Sequence, residues 1–233
     1  VKLLAGILGI ITIITITVFI YRIVTAQKKS IIREKSIAVL PLKNLGKNVN
    51  NQYLADGIME DILNRLSQIK ESKVKSRISS EQYRNPEMSL PEIAKEMNVS
   101  YILEGSIISN EEKVRIYVQL IEAENDNHIW SDEYNQDLTD IFEFTSDVSK
   151  QIAEELQLAL TSDEIEKIQR NYTEDKEAYN LYLLGRYFWH RRTVEDLSKC
   201  IKYFNQAIAR DSNYSLAYAG LADTYNTLSG DGY

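Results

Sequence analysis

The segment Lys113-Val-Arg-Ile-Tyr-Val-Gln-Leu-Ile-Glu122 alternates between apolar and polar side chains. Val114, Ile116, Val118 and Leu120 fall on one face, and Arg115, Tyr117 and Gln119 fall on the other. This two-residue period is typical of an antiparallel strand that buries one face. The segment therefore predicts a β-sheet that packs one of its faces against other elements.

Strand and helix patterns alternate on both sides of this segment, in the order β-α-β-α-β-β-β-α. A mixed sheet covered by helices, an α/β or α+β domain, is the fold that this order predicts for residues 36–160. Residues 43–51 are expected to form a polar loop, with turns at 110–112 and 125–127. The predicted strands are 36–42, 73–76, 101–108 and 128–134, and the predicted helices are 52–69, 89–98 and 140–160.

The helix predictions depend on apolar periodicity and on capping signals. Ser89 with Glu92, and Thr161 with Glu164, match the capping box that opens many helices. The second of these predicts a connecting helix within residues 161–176. Apolar residues recur at three- and four-residue steps on the long helices: Leu54, Ile58, Ile62, Leu66 and Ile69 on one, and Phe144, Val148, Ile152 and Leu156 on the other.

The amino-terminal part is apolar and uncharged from residue 3 to residue 21. With Ile23 and Val24 it is long enough to cross a bilayer, so residues 1–24 predict a transmembrane helix in contact with lipid from residue 3 to residue 24. A buried core helix and a cleaved signal peptide are the two alternatives. Ala5 and Gly9 form one small-xxx-small pair, which leaves a homodimer through this helix open.

The charges around this segment do not agree with one topology. Residues 25–35 form a basic linker, and the positive-inside rule would place the part that follows in the cytoplasm. Since the chain starts at Val1 rather than Met, we expect residues upstream whose charges also count. The family resemblance described below implies the opposite, extracytoplasmic side of a bacterial inner membrane.

Composition excludes several function classes. The formal net charge is -7 at pH 7, which disfavours binding of nucleic acid through this segment. One cysteine excludes an internal disulfide, and two histidines without ligand-spaced partners predict no metal site. Neither a phosphate-binding glycine loop nor a nucleophile elbow is present, so we expect no cofactor, no catalytic residue and no enzymatic activity.

Six short pieces of the sheet region stand out, and they are Ile37-Ala-Val-Leu-Pro-Leu42, Tyr53-Leu-Ala-Asp-Gly-Ile58, Ser79-Ser-Glu-Gln-Tyr83, Ile93-Ala-Lys-Glu-Met-Asn-Val99, Tyr101-Ile-Leu-Glu-Gly-Ser106 and Ile129-Trp-Ser-Asp-Glu-Tyr134. Together they resemble the TolB amino-terminal-like domain, also called FlgO-like, of bacterial envelope proteins. The resemblance spans most of residues 36–160 in the expected order, and it implies a non-catalytic module that often stands between a membrane span and helical repeats.

Small and aromatic residues recur within residues 177–233 at an offset of 37 residues. The predicted packing residues are Leu181, Leu184, Gly185 and Phe188, matched by Tyr218, Leu221, Ala222 and Tyr225, with Cys200, Phe204 and Ala207 on the helix between them. This pattern resembles tetratricopeptide repeats, whose usual period is about 34, with a second repeat that is truncated. Since about three repeats are needed for stability, we expect the array to continue in the full protein.

The first helix of such a repeat lines the concave surface of the array. This pattern puts Tyr179, Tyr182, Arg186, Trp189 and His190 on the inner side, as a candidate groove for an extended peptide or a carboxylate. The alternative is that some of them pack against the helix within residues 162–171.

These features predict a membrane-anchored, non-catalytic signalling or scaffold protein that binds protein partners, within a bacterial transmembrane regulator. Proteins with this order of domains resemble one-component regulators and some adenylate cyclases, whose output domain would lie outside this chain. The alternatives are an envelope assembly factor that docks another protein by strand addition, and the accessory region of an adenylate cyclase.

Overall fold

The computed structural model describes residues 35–46, 51–109, 113–137 and 141–230. They form a mixed β-sheet covered by helices and followed by helical hairpins, so the prediction of a mixed α/β sheet is confirmed. Residues from Lys35 onward pack as one compact unit.

The sheet joins parallel and antiparallel strands in the order β3-β1-β4-β5-β6. β1 runs parallel to β3 and to β4, and β2 continues along the same side of β4 beyond the end of β1. β4, β5 and β6 form an antiparallel meander. The strands are β1 (Ser36–Val39), β2 (Lys43–Asn44), β3 (Lys73–Val74), β4 (Tyr101–Ser109), β5 (Lys113–Glu122) and β6 (Asn127–Asp137).

Helices follow the parallel strands and then form the rest of the described chain. Both predicted capping boxes are present, with Ser89 and Glu92 opening α3 and Thr161 and Glu164 opening α5. The helices are α1 (Gln52–Leu66), α2 (Arg77–Glu81), α3 (Leu90–Met97), α4 (Ile141–Glu155), α5 (Ser162–Gln169), α6 (Lys176–Arg191), α7 (Val194–Arg210) and α8 (Ser215–Gly230).

The larger core lies between one face of the sheet and helices α1 and α4. All the apolar residues predicted to face this core from the two long helices are buried. The alternation predicted for β5 is also confirmed, since Val114, Ile116, Val118 and Leu120 are fully buried while Arg115 and Tyr117 are exposed. Hydrophobic burial on this face therefore fixes the register of the meander.

A second, smaller core covers the opposite face of β1 and β4. Ile93, Ala94 and Met97 of α3 pack there against Ala38 and Ile102. α3 ends where Asn98 adopts a left-handed conformation with φ of 52°. Asparagine tolerates this conformation better than most residues, so the helix stops at the predicted position.

The structure contains two elements that the sequence did not predict. β2 lies within residues 43–51, which were predicted as a polar loop. It forms because β4 offers backbone hydrogen-bond partners, which no pattern of side chains in residues 43–51 indicates. α2 is a single turn or so, opened by the Ser76 side chain, which accepts a hydrogen bond from the Ser79 amide. The turn predicted at 110–112 lies outside the described residues.

The helices after the sheet stack as antiparallel neighbours. Asp175, at the start of α6, is 3.1 Å from Arg210 at the end of α7. Phe204 of α7 lies between α6 and α8. A Cβ atom added to Gly185 of α6 would come within 2.5 Å of its ring, and one added to Gly220 of α8 would come within 2.4 Å. Two glycines therefore allow both neighbouring helices to approach the same aromatic side chain.

The predicted transmembrane helix at residues 1–24 and the basic linker at 25–35 lie outside the described residues, apart from Lys35. Among the helices that the structure describes, none has the length and apolar character needed to cross a membrane.

Candidate functional site

Helix α6 places four of the five predicted groove residues along a line that faces α1. Asp175 caps the helix by accepting a hydrogen bond of 2.8 Å from the Ala178 amide. Residues spaced by three, four and seven positions then share one face of a helix. Three of these side chains form hydrogen bonds with α1 residues, and the fourth lines a cavity beside α1. They are Tyr179, Tyr182, Arg186 and His190.

Glu60 of α1 is the centre of this contact and is 7% exposed. Its Oε1 accepts a hydrogen bond of 2.8 Å from Arg186 Nε, and its Oε2 lies 2.9 Å from His190 Nε2 and 3.2 Å from Arg77 Nη1. Burial alone would raise the pKa of Glu60. The hydrogen bond with His190 and the charges of Arg186 and Arg77 outweigh burial and lower this pKa to about 2.

The pKa of His190 is lowered as well, which in a histidine favours the neutral form. Its burial, together with the positive charges of Arg77 and Arg186, lowers its pKa from 6.5, although Glu60 acts to raise it. The neutral imidazole is therefore favoured near pH 7, and its Nε2–H donates to the Glu60 carboxylate.

A second carboxylate, Asp61, extends the contact on the side toward α4. Its Oδ2 accepts hydrogen bonds from the hydroxyl of Tyr179 at 3.2 Å and from Thr145, and it lies 3.2 Å from Arg65 Nε. Burial, and then the negative charge of Asp61, raise the pKa of Tyr179 well above its usual value. Tyr179 is thus a neutral donor that joins α6 to α1.

The network continues from α1 to α2. Asp56 lies 3.5 Å from Arg77 and accepts a hydrogen bond of 2.9 Å from Arg84 Nη1. Arg77 also donates at 3.0 Å to the Asp56 carbonyl oxygen. Arg77 of α2 therefore contacts two buried carboxylates of α1, Asp56 and Glu60.

Close backbone approach accompanies these charges. A Cβ atom on Gly57 would lie 2.8 Å from Leu183 Cδ2, so a side chain at this crossing of α1 and α6 would displace Leu183. The connecting helix α5 helps to hold the crossing, because Arg65 donates to the carbonyl oxygen of Ile168, and Glu164 accepts a hydrogen bond of 2.9 Å from the Lys70 amide.

Trp189, the fifth predicted groove residue, lies between two guanidinium groups. Arg186 is 4.5 Å and Arg192 is 3.7 Å from the centre of its ring, which are cation–π distances. Its buried Nε1 has no hydrogen-bond partner among the residues that the structure describes. Trp189 therefore packs against side chains at the end of its own helix.

Two cavities flank the contact between α1 and α6. One, of about 310 Å³, lies where α1 meets α5, α6 and the start of α8, and Tyr172, Tyr182, Arg186 and Leu216 line it. The other, of about 630 Å³, lies toward α2 beside His190. In the described part of the chain, no group of three or more His, Cys, Asp or Glu side chains is arranged to hold a metal ion.

The predicted repeat-packing residues fall into two groups. Gly185, Cys200, Phe204 and Ala207 are buried, and Leu181, Leu184 and Phe188 are half-buried. The positions on α8 differ, since Tyr218 and Tyr225 are 47% and 53% exposed, Ala222 is exposed and Leu221 is half-buried.

The sequence did not reveal that the inner side of α6 faces the sheet domain. The alternative given by the sequence was packing against residues 162–171. The structure instead places α1 against Tyr179, Arg186 and His190. The available signal was a glycine followed three and four positions later by two carboxylates, Gly57, Glu60 and Asp61, on a helix whose other face is apolar.

Residues 33–154 match the family model described as HilA/YgeH-like transcriptional regulator, second domain. This match covers more than half of the chain, and the chain therefore belongs to that family.

A curated relative extends the similarity beyond the sheet domain. The chain is 30% identical over 187 residues to "Putative adenylate cyclase 3" of Rhizobium meliloti (strain 1021), a match that covers 80% of this chain and 32% of the relative. The chain thus spans about a third of the length of the curated relative that it matches.

Similar solved structures come from bacterial proteins. TolB from Acinetobacter baumannii superposes with a TM-score of 0.40 at 15% identity, over 53% of this chain and 28% of TolB. The lipoprotein GNA1162 from Neisseria meningitidis gives 0.40 at 17% identity, over 51% and 96%. The LpoB C-terminal domain from Salmonella enterica gives 0.36 at 19%, over 46% and 86%.

Proposed function

We propose that this chain is the membrane-anchored, non-catalytic regulatory region of a bacterial signalling protein. Residues 3–24 anchor it in the inner membrane, with the described part on the extracytoplasmic side. The sheet domain senses or docks, and the helical hairpins are tetratricopeptide repeats that bind a protein partner.

The family match and the curated relative support a regulatory role. One match is to a domain of transcriptional regulators, and the other is to a protein named as an adenylate cyclase. Transcriptional regulation and cyclase activity are different outputs. A region similar to parts of both kinds of protein is better suited to controlling an output than to performing it. The catalytic or DNA-binding domain of the whole protein would then lie outside this chain.

The packing of α6 and α8 on Phe204 is the observation that carries the partner-binding role. Both helices present a glycine to the same ring, so they act as successive members of one array with a common inner side. Tyr182 and Arg186 of α6 and Leu216 of α8 line the cavity of about 310 Å³ on that side. Aromatic and arginine side chains around a cavity suit protein recognition.

Site-specific photo-crosslinking in cells tests this role. A photoreactive residue at Tyr172 or at Asp223, which are 42% and 52% exposed beside the cavity, should give a discrete protein adduct in the full-length protein. Lys150 and Glu154 on the outer face of α4 are the matched controls, at 52% and 55% exposure. Equal adducts at all four positions, or turnover of a metabolite by the purified chain, would contradict the proposal.

The second candidate function, an envelope assembly factor, is favoured by strand β6. This strand of eleven residues pairs with β5 along one side, and no other described strand pairs with it. Asp132, Glu133 and Asp137 make it acidic, so a second copy in antiparallel pairing would meet like charges, whereas an extended basic segment would not.

Proline at Asp132 and at Glu133, each in turn, tests strand addition. Neighbouring amides in a strand point to opposite sides, so one proline breaks the ladder with β5 and the other blocks only the free side. If the variant whose proline blocks only the free side keeps its fold and loses the partner, strand addition is supported. If that folded variant still captures the partner, strand addition is wrong.

A further inference from the structure

Three residues of α1 form a stripe that fits the inner side of α6. Gly57, Glu60 and Asp61 are spaced by three and four positions, so they share one face of the helix. The missing side chain at Gly57 lets Leu183 approach the backbone of α1. The stripe is therefore a small residue followed by two carboxylates.

The facing side of α6 carries a matching set of groups. Arg186 and His190 bind Glu60, and the hydroxyl of Tyr179 binds Asp61. All three are among the five residues that the sequence predicted to bind an extended peptide or a carboxylate. α1 thus occupies the position of a helix bound in a groove.

The contact lies between the sheet core and the hairpin, and Tyr179 and Leu183 of α6 belong to the same buried cluster as the sheet core. On its other faces α1 is held in the sheet core by Leu54, Ile58 and Ile62, all fully buried. The hairpin has a small core of its own. Parting the two would expose Tyr179 and Leu183 and break the ion pairs of Glu60, which repay their desolvation only while the geometry is kept.

We propose that the inner side of α6 is a receptor for an acidic helix and that α1 is its resident ligand, which blocks the site until the contact opens. This inference rests on the proposed function, since it names the class of partner: a helix with a small residue followed three and four positions later by carboxylates. α1 has the advantage of a high local concentration, so an external helix binds well only when α1 is weakened.

Binding of a labelled peptide with the sequence of residues 52–68 tests the inference on the full chain. The Glu60→Gln variant, which weakens the resident helix, should bind this peptide about tenfold or more tightly than the original chain does. A peptide carrying Gln and Asn at the positions of Glu60 and Asp61 should lose that binding. Equal affinity of both peptides for the variant would overturn the inference.

An engineered disulfide provides an independent test if the Glu60→Gln variant fails to fold. The closeness of Gly57 to Leu183 suits a cross-link in the Gly57→Cys, Leu183→Cys double variant. Glu60 stays in place there, and reduction should raise peptide binding severalfold over the oxidised form. Equal binding in the two forms would overturn the inference.

The two proposals fail separately. If the peptide does not bind but adducts still form at Tyr172 and Asp223, the resident-ligand inference is wrong and the partner-binding function stands. If the peptide binds the weakened variant but no adduct forms in cells, the groove chemistry is right and the proposed function is wrong.

Discussion

Arg186 and Glu60 lie 126 residues apart in the chain, and Arg186 Nε donates a hydrogen bond of 2.8 Å to Glu60 Oε1. Arg186 belongs to the first helix of the hairpins and Glu60 to the first helix of the sheet domain. This contact therefore helps to link the stability of the hairpins to that of the sheet domain.

Replacing Arg186 by alanine should destabilise the chain by about 3–5 kcal/mol, because it leaves a buried carboxylate without its closest cation. Urea unfolding followed by circular dichroism measures the loss. Arg170→Ala is the matched control, since its ion pair with Glu166 is about half exposed on the Arg170 side, and it should cost much less than Arg186→Ala. Equal effects of the two substitutions would contradict the network.

Gly185→Ala should destabilise the hairpins by about 1–3 kcal/mol, because the added methyl group would meet the ring of Phe204 at 2.5 Å. Gly230→Ala introduces the same change in α8, where nothing lies within 4 Å of the new atom. That control should be neutral or slightly stabilising. Thermal unfolding distinguishes the two, and a neutral Gly185→Ala would mean that α6 and α7 pack less closely.

Acid should weaken the contact between α1 and α6 in two steps. His190 has a folded pKa below 6.5, so the unfolded chain takes up its proton first and stability falls as the pH drops below 6.5. Glu60 has a folded pKa of about 2 against 4.5, so its contribution is present above pH 4.5 and is lost as the pH falls toward 2.

Urea midpoints measured at about pH 7.5, 5.5 and 3.5 follow these steps. His190→Gln should reduce the loss between the first two values. Glu195→Gln removes a carboxylate that is 81% exposed, and it serves as the control. A midpoint that is constant with pH would argue against both groups.

Thr161→Ala should destabilise the chain by about 1 kcal/mol, because the hydroxyl caps α5 by accepting a hydrogen bond from the Glu164 amide. Ser198→Ala, at an exposed position inside α7, is the comparison and should be close to neutral. Hydrogen exchange of the amides at the start of α5 measures the difference, and unchanged exchange would show that the cap contributes little.

Local patterns made most of the sheet domain predictable. The alternation of β5, the capping box at Ser89 and the left-handed stop at Asn98 each depend on residues close in sequence. α2 has too few residues for a period to appear, and β2 forms because β4 offers partners from elsewhere in the chain. Neither carries a signal of its own.

The site was only half predictable. The inner face of α6 follows from helical spacing, so Tyr179, Arg186 and His190 were found. What they bind was not, because Glu60 meets its partners from 17, 126 and 130 residues away. Periodicity describes one helix at a time, whereas the pairing of two helices depends on how the whole chain folds.

Cys200 has no exposed surface, its Sγ lies 2.9 Å from Thr224 Oγ1, and burial raises the pKa of its thiol to about 11. A thiol enclosed between α7 and α8 reacts with a maleimide only during moments when those helices part. Since the chain has one cysteine, the rate of labelling reports how often α7 and α8 separate, and no engineered probe is needed.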